Sequence, residues 1–168
     1  MEWLYLALAL LLIVGTGVFV AAEFSLLTLD KHTVEEAVRN GEPGSKYLEK
    51  GLHHLSTQLS AAQVGITITT LLTGYLMQPS LGALLIPLVE QLGASEAVSR
   101  AVSLVVALIV STFLSMVVGE LVPKNLAISA PMKAGSVAVP LQYMFSVVFR
   151  PVIALLNGTA NKALVAMG

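Results

Sequence analysis

Long apolar segments alternate with short polar ones along this chain, and the alternation predicts three membrane-spanning helices. Residues 4–29, 56–77 and 98–118 each carry at most one charged side chain. About 20 residues of α-helix cross the hydrocarbon core of a bilayer, so each segment is long enough to span, the first with some tilt. The expected fold class is therefore an all-α integral membrane domain.

The polar segment between the first two spans, residues 32–55, is the most charged stretch of the chain. Asn40-Gly41 and Pro43-Gly44 interrupt it, which predicts two short juxtamembrane helices along the membrane surface. A partner-binding amphipathic helix is the alternative to a solvated cytoplasmic linker. Further along, Gln78-Pro79-Ser80 is expected to stop the second span, and residues 81–92 are expected to form a short interfacial helix.

The last apolar segment, residues 134–156, has two interpretations. It is apolar enough to span, but two prolines and two polar side chains interrupt it. Basic residues concentrate in residues 30–56 and toward the C-terminal end, whereas residues 78–97 contain none. The positive-inside rule then predicts an N-terminus outside the cell and a C-terminus in the cytoplasm. This orientation favours a juxtamembrane helix for residues 134–156, with a fourth crossing as the alternative.

Composition narrows the classes of function. Of 168 residues, 56% are hydrophobic and only 11% are charged, whereas soluble domains are near 25% charged. A soluble enzyme is therefore excluded, and no enzymatic activity is expected. The formal net charge of −1 argues against nucleic acid as a partner. Because cysteine is absent, oxygen or imidazole must supply the ligands of any metal, and the three histidines lie in the polar loop, where solvation is expected.

Small and oxygen-bearing residues recur at helical spacing on all three predicted spans. Residues three or four apart share a helix face, so each span presents a polar stripe to a common interior. Such stripes also let membrane helices pack closely, so a packing role for any single Ser or Thr remains open. The stripes consist of Gly17, Ala21 and Ser25; of Ser56, Ser60, Gln63, Thr67, Thr70 and Gly74; and of Ser111, Ser115 and Gly119, with Thr112 aligned with Glu120.

Glu120 is the most informative candidate for cation chemistry. An acidic group at membrane depth is costly and marks an ion or proton path by default. The alternative is a surface pair with Lys124, and Glu23 has the same alternative with Lys31 or Lys124. Pro123 lacks an N–H and would free the carbonyl of Gly119. A carboxylate, a freed carbonyl and several hydroxyl or amide oxygens suit Mg²⁺, Ca²⁺ or Na⁺.

Three segments resemble the transmembrane domain of the CorC/CNNM family in order and spacing. They are residues 19–27 (FVAAEFSLL), residues 63–67 (QVGIT) followed by Gly74, and residues 119–124 (GELVPK). The last segment is the most specific, and the resemblance covers nearly the whole chain. One departure is that some members carry Asn where Gln63 aligns.

The resemblance implies a homodimeric Mg²⁺ transporter of the cell membrane that exports Mg²⁺ in exchange for Na⁺. It also implies cytoplasmic CBS and CorC-type domains, of which the CBS pair binds ATP, and these lie outside this chain. The family's ion site lies between the three helices. Carried over by position, it points to Ser25, Gln63, Gly119 and Glu120, with Ser60 and Ser115 as further oxygens and Glu23, Pro123 and Lys124 in support.

A second hypothesis comes from a different class of function. The chain could anchor cytoplasmic regulatory domains in the membrane and relay their state without conducting ions. The polar stripes would then serve helix packing and dimer contact.

Overall fold

The computed structural model describes residues 1–167, and helices occupy nearly all of them, with no strand in that range. The helices are α1 (Glu2–Thr28), α2 (Lys31–Arg39), α3 (Ser45–His53), α4 (Leu55–Gln91), α5 (Glu96–Leu114), α6 (Val122–Ser129), α7 (Pro131–Val148) and α8 (Arg150–Met167). A π-helical turn, Ser115–Leu121, joins α5 to α6 without a break in the helix.

Three helical segments are long and apolar enough to cross a membrane: Glu2–Thr28, Leu55–Gln91 and Glu96–Ser129. This confirms the predicted all-α membrane fold with three spans. The third segment combines α5, the π-helical turn and α6. The pair α7 and α8 would pass the same test together but is bent by 82°. Whether residues 134–156 cross the membrane stays a prediction, although the single helix expected there is divided at Phe149.

The predicted stop at Gln78-Pro79-Ser80 is wrong. The helix α4 continues for 37 residues and includes Pro79 and Pro87 in its interior. Each proline lacks one backbone N–H, which leaves a carbonyl without its helical partner. Membrane helices tolerate this because neighbouring helices, Ser or Thr side chains and ordered waters satisfy the freed carbonyl. Residues 81–92 are therefore mostly the end of α4 and do not form a separate interfacial helix.

The chain forms two compact units. Unit 1 comprises Met1–Gly17 and Thr67–Val122, and unit 2 comprises Val18–Ile66 and the chain from Pro123 onward. In unit 1 the buried side chains of Ala9, Ile13 and Met77 form a small apolar core. The hydroxyls of Thr16 and Thr69 are hydrogen-bonded there at 2.7 Å.

Unit 2 has the larger apolar core. Its buried residues come from α1, α2, α3, α6 and α7, so the two short helices pack against longer ones and are not isolated. The central side chains of this core are Ala22, Leu26, Val34, Leu48, Ala127 and Val139. The two short helices of the charged segment match the sequence prediction; their position along a membrane surface stays a prediction.

Local signals explain where α2 and α3 begin and end. The Asp30 side chain accepts a hydrogen bond from the backbone N–H of His32 at 3.1 Å and caps α2. At the other end, the N–H of Gly41 bonds to Val38 O and that of Glu42 bonds to Ala37 O. These two hydrogen bonds, together with the left-handed conformation of Gly41, form a Schellman cap.

Candidate functional site

A cavity of about 480 Å³, with several polar side chains in its lining, lies within unit 1. Two helical segments line it: the middle of α4, and the end of α5 with the following π-helical turn. Glu120 is the one charged residue among the lining side chains that the structure describes. The lining residues are Thr70, Leu71, Thr73, Gly74, Tyr75, Gln78, Ser111, Thr112, Ser115, Met116 and Glu120.

Helical spacing brings the lining residues to one side of each segment. Thr70, Gly74 and Gln78 are four residues apart on α4, and Thr112 and Glu120 are eight apart on the third span. The π-helical turn lies between Thr112 and Glu120. A π-helical turn inside an α-helix is rare and is frequently found at functional sites.

Several hydroxyl groups in the cavity present oxygen lone pairs. Thr73 Oγ1 donates its proton to Thr69 O at 2.7 Å, and Ser111 Oγ donates to Leu108 O at 3.1 Å. A hydroxyl whose proton is used by a carbonyl leaves its oxygen as an acceptor. Thr70 Oγ1 and Ser115 Oγ are buried and make no hydrogen bond in the part of the chain that the structure describes. Such oxygens are suited to a cation or to water.

The π-helical turn also affects the backbone carbonyls beside Glu120. Its last bond runs from Val122 N–H to Val117 O, which is five residues back. After Val122 the chain returns to α-helical bonding, in which each N–H reaches four residues back. One carbonyl is passed over at such a change of register, and Pro123 withholds a further N–H. In that α-helical register Pro123 is the residue that would have donated to Gly119, so the freed carbonyl that the sequence predicted at Gly119 stays a prediction.

Glu120 borders the cavity, and protein covers little of its side chain. Gly119 is buried, and a Cβ there would lie 3.5 Å from Ile13 O, an ordinary contact distance. Across residues 1–167, no group of three or more His, Asp or Glu side chains could hold a metal. Any cation here would therefore rely on one carboxylate and on neutral oxygens.

Other predicted site residues lie in unit 2. Ser25 is fully buried, and its Oγ has no hydrogen-bond partner among the described residues. It packs near Gly135, whose ideal Cβ position is 3.4 Å from Ser25 Oγ. Ser60 Oγ donates to Ser56 O at 3.0 Å. Gln63 is exposed. The structure thus places Ser25, Ser60 and Gln63 in unit 2, and Ser115, Gly119 and Glu120 in unit 1.

The supporting residues Glu23, Pro123 and Lys124 also belong to unit 2. Glu23 is half-buried on α1. Within the described part of unit 2, no ion pair joins it to Lys31 or to Lys124, so that alternative is wrong. Lys124 Nζ instead lies 4.6 Å from the ring centre of Phe24, a cation–π contact. Pro123 is buried at the start of α6.

Sequence reasoning missed several lining residues, among them Thr73 and Gln78. Gln78 was assigned to the predicted end of the second span, because a proline follows it. Its spacing of four residues from Gly74 and eight from Thr70 was the signal that could have placed it on the same face.

Comparison with known proteins agrees with this architecture. The family model described as the cyclin M transmembrane N-terminal domain, CNNM, matches residues 7–168. The chain belongs to the CNNM transmembrane-domain family. Among curated CNNM-like relatives, the UPF0053 protein MT1890 of Mycobacterium tuberculosis is 46% identical over 152 residues, covering 90% of this chain and 33% of that protein.

Two Bacillus subtilis relatives show the same relation of lengths. UPF0053 protein YrkA is 37% identical over 90% of this chain and 35% of its own length. UPF0053 protein YhdT is 38% identical over 89% of this chain and 32% of its own length. The chain thus spans about a third of the length of these relatives, which contain further sequence outside the matched part.

Proposed function

We propose that this chain is the membrane domain of a Mg²⁺ transporter that exports Mg²⁺ in exchange for Na⁺ and acts as a homodimer. The observation that carries the proposal is the cavity of unit 1, which one carboxylate and several hydroxyl oxygens line beside a π-helical turn. Membership of the CNNM family agrees with a role in Mg²⁺ transport.

The chemistry of the cavity suits a hard, partly hydrated cation. Mg²⁺ prefers oxygen ligands and keeps several of its waters, because it dehydrates reluctantly. A water molecule occupies about 30 Å³ of liquid, so a cavity of about 480 Å³ has room for an ion with much of its hydration shell. Glu120 would supply the charge, and hydroxyls such as those of Thr70 and Ser115 would bind the ion or its waters.

The resemblance adds ligands that the cavity does not contain. It names Ser25, Ser60 and Gln63 in unit 2, together with the Gly119 carbonyl. The buried, unpartnered hydroxyl of Ser25 supports its inclusion. The contribution of each of these residues stays a prediction that single substitutions can test.

The first test is the effect of Mg²⁺ on thermal unfolding of the purified protein. A ligand at ten times its Kd stabilises the folded state by about 1.4 kcal/mol. We expect wild-type protein to show such a shift, and Glu120→Gln to lose it, because the amide keeps the shape and removes the charge. Glu90→Gln is the matched control, since Glu90 is an exposed carboxylate of unit 1 that does not line the cavity. An unchanged Mg²⁺ shift in Glu120→Gln would refute the proposed role of Glu120.

A non-conducting membrane anchor is the second candidate. The relatives are about three times as long as this chain, which is consistent with cytoplasmic domains that the membrane part could hold. The compact core of α2, α3 and α7 in unit 2 could relay their state. Transport measurements separate this function from the first.

A further inference from the structure

A second polar cavity, of about 230 Å³, lies within unit 2 and has a different character from that of unit 1. It is formed where α3 gives way to α4 and where α7 bends by 82° into α8. Its lining includes His54, Thr57 and Gln58 from the first junction, and Tyr143, Ser146 and Arg150 from the second.

The ionisable side chains that distinguish this cavity are the basic ones of His54 and Arg150. Arg150 brings a permanent guanidinium charge, and His54 brings an imidazole that can donate an N–H. No carboxylate occurs among the lining residues in the described part of the chain. The ring of Tyr143 packs edge-on against Tyr47 with 5.8 Å between ring centres, and Lys50 Nζ lies 5.8 Å from the centre of the Tyr47 ring. A further cation therefore stands close to this side of unit 2.

A buried hydrogen-bond network fixes the wall of the cavity. Gln58 and Ser146 are 2% and 6% exposed. Gln142 Nε2 donates to both Gln58 O, at 3.0 Å, and Gln58 Oε1, at 3.2 Å. The side-chain oxygen of Gln58 thus accepts from Gln142. The side-chain nitrogen of Gln58 then lies toward Ser146, and Gln58 Nε2 donates to Ser146 Oγ at 3.1 Å. Ser146 uses one of the two amide hydrogens, and the other can donate to a ligand.

Guanidinium, imidazole, amide and hydroxyl donors around one cavity are the set that recognises a phosphate group. The cavity also lies where the charged segment ends and the apolar span of α4 begins, at His54 and Leu55. Basic pockets at such a boundary bind anionic lipid headgroups. We propose that this cavity binds a phosphate group, with Arg150 as its principal charged contact. The group could belong to an anionic phospholipid or to soluble phosphate.

The experiment compares lipid retention in two kinds of nanodisc, one of phosphatidylcholine alone and one with phosphatidylglycerol added. Native mass spectrometry counts the lipids that remain bound to the released protein. We expect wild-type protein to retain phosphatidylglycerol preferentially. Arg150→Gln should reduce that preference at least about fivefold, the effect of one basic residue at an anionic surface. Arg150→Lys keeps the positive charge but lacks the paired N–H donors of the guanidinium, so it should lose less of the preference for phosphatidylglycerol.

Lys162→Gln is the matched control, because it removes the same charge from an exposed position on the same helix α8. It should reduce the preference less than Arg150→Gln does, because Lys162 does not line the cavity. In a second arm, inorganic phosphate is titrated onto protein in phosphatidylcholine nanodiscs, with protection from thermal unfolding as the readout. Protection that Arg150→Gln abolishes would support the site and identify soluble phosphate as its source.

Two results would overturn the proposal. One is equal loss of lipid preference in Arg150→Gln and Lys162→Gln, which would indicate a general surface effect. The other is wild-type protein that shows neither a preference for phosphatidylglycerol nor protection by phosphate. The proposal is independent of ion transport, because none of the cavity residues lines the cavity of unit 1.

Discussion

Single glycines decide how closely helices approach in this protein, and Gly65 is the clearest example. A Cβ at Gly65 would lie 2.6 Å from ring carbons of Phe19. The ring of Phe19 cannot easily yield, because it packs against Phe145 with 4.8 Å between ring centres. At Gly82, farther along the same helix, a Cβ would meet no atom within 4 Å. Gly65 thus allows close packing against Phe19, whereas at Gly82 there is open space for a side chain.

We therefore expect opposite effects from two alanine substitutions in α4. Gly65→Ala should lower the free energy of unfolding by about 1–3 kcal/mol, the usual cost of overpacking. Gly82→Ala should be neutral or raise it by up to about 1 kcal/mol, because alanine is the better helix former. Thermal unfolding in detergent micelles measures both. Equal stability of the two variants would show that Gly65 does not hold Phe19 at this distance.

Residue by residue, the candidate site was only partly predictable. Ser115 and Glu120 were assigned to polar faces of the third span, and both border one cavity. The packing of Lys124 over Phe24 was not predicted, because the partner of a long, flexible side chain depends on which helices are nearby. Whether Ser25, Ser60, Gln63 and Gly119 bind an ion stays a prediction.

At the scale of elements, the turn between α2 and α3 is fixed by two glycines of positive φ. Gly41 has φ 71° and Gly44 has φ 78°. A Cβ at Gly41 would meet open space, whereas one at Gly44 would collide with the backbone of Ser136, lying 2.8 Å from its Cα. Gly44 thus serves both the turn and the close packing of α3 on α7.

The two positions offer a matched pair of alanine substitutions. Gly41→Ala should cost about 1 kcal/mol for the left-handed backbone alone. Gly44→Ala carries the same backbone cost together with the clash, and should cost about 1–3 kcal/mol more. The difference in unfolding free energy between the variants isolates the contact between α3 and α7. If the two variants melt at the same temperature, that contact contributes nothing to stability.

The third span illustrates what the sequence could reveal about an element. The proline at position 123 signalled a local departure from α-helical bonding. It did not reveal the form of that departure, because a π-helical turn and a broken helix both accommodate a missing N–H. The structure has the π-helical turn, Ser115–Leu121, and the helix continues to Ser129.

For the molecule as a whole, the decisive measurement is transport. Full-length protein is reconstituted into liposomes loaded with a Mg²⁺-sensitive dye, and a Na⁺ gradient is imposed. We expect Mg²⁺ movement that depends on that gradient. Glu120→Gln should slow it at least about tenfold, which corresponds to about 1.4 kcal/mol of activation free energy. Glu90→Gln should transport like wild type.

The outcomes separate the two candidate functions. No Mg²⁺ movement by folded wild-type protein under either a Na⁺ or a Mg²⁺ gradient would favour the membrane anchor. Equal transport by wild type and Glu120→Gln would retain the transporter and reject the carboxylate of unit 1 as its ion ligand. Lipid retention at Arg150 is measured separately, so its result does not depend on either outcome.

The sequence alone determined the number of candidate spans, the all-α class and the two short helices of the charged segment. These follow from properties that neighbours along the chain decide: the length of an apolar run against the thickness of a bilayer, and glycine at a helix end.

Only the tertiary structure decided which interruptions are tolerated and which polar groups meet. The helix α4 passes through two prolines, and the amides of Gln58 and Gln142 pair across 84 positions of sequence. A missing N–H or a buried amide is costly only when no partner satisfies it. Because such partners come from distant parts of the chain, local sequence patterns cannot specify them.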